Sequence, residues 1–344
     1  MNKKMMLTLT IIMLVSVFLS FYTLPYYIQK PGNAFALDDI VKVTDGTESE
    51  GDFSLMTVSQ VEANVFAYAW AYFSDFQEIY EVEEVRNPHE SEDEYSVRQL
   101  YLMDNSAAQA IEVAFREAGA EFEYQYNGIY ILNVFPGMPA EGVLRAGDRI
   151  KQVDDIPLES SEQFIDYISE KEAGDTVTLF YDRDEEERTG DITLETFPEN
   201  DNQVGMGISL ADDIELETDP EVEIDSGGIG GPSAGLMYAL EIYDQLVEED
   251  LTAGKMVAGT GTISAEGAVG RIGGIEQKVV AADRQGIEIF FAPDDELPKE
   301  ALEGNPALQT NYEAAVQTAE SIGTDMEIVP VKKFEDALEY LNSL

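Results

Sequence analysis

Ser233 closes a glycine-rich run, Gly227-Gly228-Ile229-Gly230-Gly231-Pro232-Ser233-Ala234-Gly235, at the point where an acidic extended stretch gives way to the apolar, helix-patterned Leu236 to Leu246. Glycine lets a backbone approach a substrate closely and take positive φ. A helix N-terminus adds unpaired N–H groups and a positive dipole end, which suit an oxyanion. The same placement also suits a plain helix cap behind a proline. Gly231 to Gly235 match G-x-S-x-G, but an α/β-hydrolase needs a histidine after its serine. The chain's one histidine is His89, in an acidic stretch that reads as a solvated loop. There is no cysteine, which excludes thiolate nucleophiles, disulfides and Cys-ligated metals. A serine nucleophile would then need another base, and lysine serves if burial lowers its pKa. Of the lysines after Ser233, Lys255 falls in a turn, and Lys299, Lys332 and Lys333 lie in polar settings. Lys278 differs: it opens the apolar run Val279 to Ala282, and helical spacing sets it beside Ile275 and Ala282. A lysine there either snorkels or has a function.

The elements that must hold these residues read as mixed α/β. After the serine come a helix (Leu236 to Val247), a Gly- and Thr-rich strand (Met256 to Ile263) and a Gly-rich turn (Gly267 to Gly274). A helix (Ile275 to Arg284), a buried strand (Ile287 to Ala292) and helix, strand, helix to the C-terminus follow. Val204 to Leu210 and Ile214 to Ile224 read as extended and open this last unit, behind a polar linker at Glu199 to Gln203. Before it lies a β-rich stretch: strands at Gly128 to Val134, Lys151 to Ile156, Thr176 to Tyr181 and Asp191 to Phe197, with a helix at Ser161 to Lys171. Nearer the N-terminus, Phe53 to Val61 reads as a strand, Glu62 to Phe76 as a helix, Glu78 to Glu94 as an acidic loop, and Asn105 to Ala118 as a helix ended by Gly119.

The chain has 344 residues and a formal charge of −49, from 20 basic and 69 acidic side chains. The acids are spread throughout, as on an acidic surface, and such a field repels nucleic acid and anionic lipid. It suits a saline or alkaline exterior, where salt screens self-repulsion. The first thirty residues hold Lys3, Lys4 and Lys30 and no acid. Met5 to Leu24 is almost wholly apolar and long enough to span a bilayer. With the positive residues ahead of it, the bulk of the chain is expected outside the cytoplasm, on a single-pass anchor at the cell membrane. Tyr22, Tyr26 and Tyr27 are expected at the far interface as an aromatic belt. Ala34-Phe35-Ala36 matches a cleavage site but lies far from the apolar run, so an uncleaved anchor is expected.

Two family resemblances rest on these residues. The block PAEGVLRAGDRI, then VDDIPL, then the helix-and-strand ending resembles a PDZ domain over roughly Gly119 to Phe197. The resemblance implies peptide binding by strand addition, with Asn127, Gly128, Ile129 and Tyr130 as the edge; a plain spacer is the alternative. GPSAG followed by GTGTISAEGAVGRIGGIEQKVVAADRQGI resembles the proteolytic domain of Lon over Val204 to Leu344. That resemblance implies a Ser–Lys dyad of Ser233 and Lys278, with Thr260 supporting the lysine and backbone amides near Ser233 as the oxyanion hole. Anchor, PDZ and Lon-like domain together resemble the PDZ-containing secreted proteases of Gram-positive bacteria. In these the PDZ is inserted, so that Phe53 to Val61 completes the protease sheet. Two positions depart from Lon: Gly230 where an acid is frequent, and Thr262 where Glu is frequent. Lon's ATPase and its phosphate-binding G-x-x-x-x-G-K-[ST] are missing from this sequence.

The expected division is 1–28 anchor, 29–118 extracytoplasmic segment that joins the protease fold, 119–198 PDZ and 203–344 Lon-type domain. The expected activity is an ATP-independent endopeptidase acting on flexible peptides or unfolded segments. No cofactor, metal or nucleic acid is expected, and the acidic surface hints at cationic substrates. The alternative is a non-catalytic PDZ scaffold with a decayed protease domain.

Overall fold

The computed structural model describes residues 3–198, 200–297 and 308–344, so Lys299 lies outside it. Helix α1 (Lys3–Phe21) has mean hydropathy 2.1, is apolar enough to cross a membrane, and buries no residue. The chain then turns directly into strand β1 (Thr23–Ala36). Tyr26 and Tyr27 are therefore strand residues, and only Tyr22 of the expected belt stays at the helix end. Tyr27 is buried, with the Arg86 guanidinium over its ring. The Ala34-Phe35-Ala36 match lies in the same strand, paired with Met56, Leu55 and Ser54. A cut after Ala36 would separate an inner strand from its covalent frame.

Strand β2 (Val41–Val43) and the long β3 (Asp52–Asn64) follow. Asn64 caps helix α2 (Val65–Ala71) by accepting from the amides of Phe66 and Ala67. The expected acidic loop instead contains strand β4 (Glu78–Glu81), the short helix α3 (Val82–Val85) and the start of helix α4 (Glu92–Ala118). Thus α4 begins well before Asn105. Ser91 and Glu94 form a reciprocal capping box, and Glu92, Asp93 and Glu94 lie at the positive dipole end. Glu90 is buried and takes a two-pronged hydrogen bond from Arg98. The acids that resemble loop composition are helix-starting residues.

The middle unit is an antiparallel sheet with one packed helix. It comprises β5 (Glu121–Val134), β6 (Arg149–Val153), β7 (Ile156–Pro157), α5 (Ser161–Ser169), β8 (Thr176–Arg183) and β9 (Glu186–Thr193), then β10 (Glu195–Phe197), β11 (Asn200–Gly205) and β12 (Ile208–Asp219). The strands run in the order β12-β5-β6-β8-β9, with β7 on β6 and β10 paired to β11. Ile129, Ile131, Ile150, Val177 and Leu179 form its core with Phe164 and Ile168 of α5. Two expectations are corrected here. Asn200 to Gln203, expected as linker, is part of strand β11. The stretch expected to open the last unit forms β12, which pairs with β5 from Ile208–Val134 to Asp219–Glu121.

The last unit adds β13 (Val222–Ile224), a 3-10 turn (Pro232–Ala234), α6 (Gly235–Leu246), β14 (Met256–Gly259), β15 (Thr262–Ile263), β16 (Val269–Gly270), α7 (Ile275–Gln285), β17 (Ile289–Pro293), α8 (Asn311–Ile322), β18 (Glu327–Val331) and α9 (Phe334–Leu341). Its strands do not close a sheet by themselves. They extend one begun near the N-terminus, in the order β4-β1-β3-β14-β17-β18. The run from β3 to β18 is parallel, and β1 pairs antiparallel with β3 and β4. Alternate residues serve opposite faces, as a strand's period of two requires. Phe53, Leu55, Val257, Ile289 and Phe291 pack with α4, α6 and α9. Met56, Ala258, Phe290 and Ala292 pack with α7 and α8. Each large apolar side chain so buried contributes roughly 1.5–3 kcal/mol.

Candidate active site

The sheet separates the two helices that matter. Ser233 sits in the 3-10 turn ahead of α6, and Lys278 on the first turn of α7 across the sheet. Thr260 lies immediately beyond β14, at the carboxyl end of the parallel strands, where open α/β sheets place their ligands. The local sequence makes each placement possible. Gly231 has φ 96°, which a side-chain-bearing residue rarely adopts. Gly235 must lack a side chain, because a Cβ there would lie 2.6 Å from Ser106 Oγ and 2.7 Å from Ile263 Cγ2. Gly235→Ala is expected to destabilise the fold by about 1–3 kcal/mol through overpacking, although alanine favours a helix interior by ~1 kcal/mol. A lower urea midpoint reads this out.

Lys278 is 2 % exposed. Its Nζ donates to Ser233 Oγ at 2.8 Å and to Thr260 Oγ1 at 2.8 Å. Burial alone lowers its pKa from 10.5 to about 7, because an ammonium loses hydration there and gains no counter-charge. Thr260 Oγ1 donates to the carbonyl of Ser233 at 3.0 Å, and the Gly261 amide donates to the same oxygen at 2.9 Å. The threonine proton is therefore committed, and toward Lys278 its oxygen acts as acceptor. A neutral amine that gives one N–H to Thr260 can turn its lone pair to the serine hydroxyl. This arrangement can remove the proton from Ser233 as it attacks a carbonyl.

Helix α4 supports the serine turn from below. The carbonyl of Gln99 accepts from Gly231 N at 2.8 Å, and buried Ser106 donates to the carbonyl of Pro232 at 2.9 Å. Gly230 has a steric reason: a Cβ there would fall 2.8 Å from the Gln99 Cβ, so the packed helix excludes the acid frequent in Lon. On the lysine side, buried Asn311 brackets Ile272, accepting from its amide at 2.8 Å and donating to its carbonyl at 3.1 Å. Asp295 accepts from the Asn311 amide and from Arg271, both at 2.7 Å. These contacts fix the Gly273-Gly274 turn that starts α7.

Both halves line a cleft of about 840 Å³. Its walls include Gln29, Phe35, Val58, Tyr95, Ile229 and Ile272, with Thr262 beside Ser233. Among the described residues no carboxylate lines it, and Arg271 is the charged side chain there besides Lys278.

The structure brings Ser233, Lys278 and Thr260 together. Lys255, Lys332 and Lys333 are solvent-facing and paired with Glu288, Asp294 and Glu335. His89 is exposed in the turn before α4. The expected peptide-binding edge is corrected: Gly128, Ile129 and Tyr130 pair with Asp213, Asp212 and Ala211 of β12, and Ile129 and Tyr130 also pair with Ile150 and Arg149 of β6. Asn127 sits at the bulge of the same ribbon. This strand has neighbours on both sides, so no edge is open there. Gln99, Ser106 and Asn311 had no signal in the sequence, since polar residues on helices carry no mark of what they hold.

Residues 118–194 match the PDZ domain family, and residues 213–341 match the C-terminal proteolytic domain of Lon protease (S16). The Lon protease of Erwinia amylovora is 34% identical over 108 residues, which cover 31% of this chain and 12% of that protein. The Lon protease of Ureaplasma parvum is 40% identical over 83 residues, covering 23% and 10%. The chain spans only about an eighth of the length of such relatives. Among solved structures, the PDZ domain of the SdrC-like protein from Listeria monocytogenes is 38% identical, covering 25% of this chain and 90% of that one with a TM-score of 0.24. The chain therefore joins a PDZ domain to a Lon-type proteolytic domain in one mixed α/β fold, and the pair supports a serine protease.

Proposed function

We propose that the chain is an ATP-independent, membrane-anchored serine endopeptidase working outside the cytoplasm, with Ser233 as nucleophile, Lys278 as general base and Thr260 orienting the lysine. The observation that carries this reading is the 2.8 Å approach of Lys278 Nζ to Ser233 Oγ in a buried setting, with no counter-charge among the described residues. Ser233 Oγ attacks the scissile carbonyl carbon while its proton passes to the neutral amine. Amides at the turn before α6 receive the developing oxyanion. The ammonium of Lys278 returns the proton to the leaving amine, and the peptide's C-terminal part departs. Water then enters, loses a proton to the same amine, and hydrolyses the ester on Ser233.

Peptide hydrolysis is downhill and needs no nucleotide, so substrates are flexible peptides or unfolded segments. The PDZ domain recognises substrate or regulates the site, and the run of β12 through β13 into the Gly227–Gly231 loop supports a link between the two units. Lys3 and Lys4, at the N-terminal end of α1, favour a cytoplasmic N-terminus. The full chain, purified in detergent, is expected to cut casein without ATP and to do so no faster with it, as read by mass spectrometry of the peptides. It is also expected to take up a fluorophosphonate probe. Neither cleavage nor labelling would leave a non-catalytic PDZ scaffold with a decayed protease domain.

A further inference from the structure

Helix α2 is apolar on every side. Its inner face, Ala67, Tyr68 and Ala71, packs on Ile28, Ala63, Leu24 and Tyr26. Its outer face and the residues just after it stay uncovered: Phe66 is 48 %, Trp70 70 %, Tyr72 73 % and Phe73 83 % exposed. Large aromatics gathered on a surface mark a contact surface, and a helix apolar all round belongs in a core or a membrane. The charge pattern agrees. In a chain with 69 acids, no charged residue stands between Glu62 and Asp75.

What covers this face is indicated by its neighbour. Helix α1 touches both α2 and β3, and its last turn with the residue after it adds Phe18, Phe21 and Tyr22, all exposed. Two aromatic groups, from separate parts of the sequence, thus lie at the end of one apolar helix. Tryptophan and tyrosine collect at bilayer interfaces, where an amphipathic ring sits at headgroup level.

From this we infer that Phe66, Trp70, Tyr72 and Phe73 form a second membrane contact, seated in the outer headgroup layer beside α1. It rests on the reading of α1 as the membrane span. A lone helix followed by strand would let the catalytic unit swing; a second contact beside it fixes the tilt. It also fixes the height of the cleft, because Thr23 to Gln29 of β1 spans about 20 Å of strand from helix end to cleft wall.

The chain contains one tryptophan, so Trp70 reports on this face without any substitution. The full chain is reconstituted into phosphatidylcholine vesicles, with and without brominated acyl chains. Co-flotation with vesicles checks α1, and fluorescence checks α2. The expected result is flotation, about a twofold loss of Trp70 emission in brominated lipid, and shielding from acrylamide, as for a ring buried ~5–10 Å into the interface. A chain that floats while Trp70 ignores the bromine and stays open to acrylamide overturns the second contact and leaves the span intact. Shielding from acrylamide without bromine quenching means a second copy of the chain covers the face, and also overturns it. A chain that does not float overturns the span and the contact together.

Discussion

Ser233→Ala is expected to cut peptide-bond hydrolysis by at least about 10³-fold in kcat, with KM for a loosely folded substrate little changed. Among the described residues, Ser233 is the cleft-lining hydroxyl within 2.8 Å of Lys278 Nζ; Thr260 is equally near but gives its proton to the Ser233 carbonyl. His89 is exposed in another turn, and the chain has no thiol. The substitution should leave the fold alone: it removes one oxygen from a turn held by the carbonyl contacts of Ser233 and Pro232, which alanine retains. Circular dichroism and urea midpoints matching the parent, together with lost cleavage and lost fluorophosphonate labelling, would carry the prediction. Cleavage at the parent rate would sink it.

Lys278→Met should lose activity to a similar degree and gain stability. Because the buried amine has its pKa lowered from 10.5 to about 7, the folded chain holds fewer protons than the unfolded one between those values. Stability from this group therefore rises with pH across that window, and the penalty is complete below pH 7. Removing the amine should raise stability at pH 6 by an amount on the order of 5 kcal/mol, less the two hydrogen bonds lost. The gain should shrink toward pH 10. Glu241 on α6 is buried and raised to about 7, and as an acid it works in the opposite direction. Both proteins carry it, so it cancels in the difference between their urea midpoints at pH 6 and 9. The same titration sets the activity: kcat of the parent should rise with pH through about 7, as the amine becomes neutral, and then level off. Lys278→Arg should be inactive at every pH, since a guanidinium keeps its proton. A flat profile in the parent, or activity in the arginine variant, would refute a lysine base.

Much of the site could be read before the fold. Ser233 and Lys278 stood out because the chain has one histidine, no cysteine and one lysine inside an apolar helical run; their pairing was what the resemblance to Lon implied, and the two side chains lie 2.8 Å apart. Helices from α5 onward and the strands β14, β17 and β18 followed from period and punctuation. Two features were not legible, for different reasons. The start of α4 lies in acidic sequence that composition assigns to loop, although Ser91 and Glu94 carry a capping signal. The partner of β12 could not be read because alternation tells which face a residue takes and is silent about the neighbouring strand. The same silence hid the occupied edge at Gly128 to Tyr130.

The pairing of Asp219 with Glu121 has a consequence for how such a chain can be built. These residues are the last of β12 and the first of β5, and opposed partners in an antiparallel ladder stand about 4.5–5.5 Å apart. Everything between them leaves and rejoins the frame through a single doorway. A short turn could bridge that gap at small loop-closure cost, joining α4 to β13 with Ser233 and Lys278 still seated on their own sheet. Any foreign module whose two ends meet as a hairpin would fit the same doorway. The frame thus holds the inserted domain through one covalent crossing, to which α4 adds contacts from Tyr101 to Asp212 and from Glu94 to Val134.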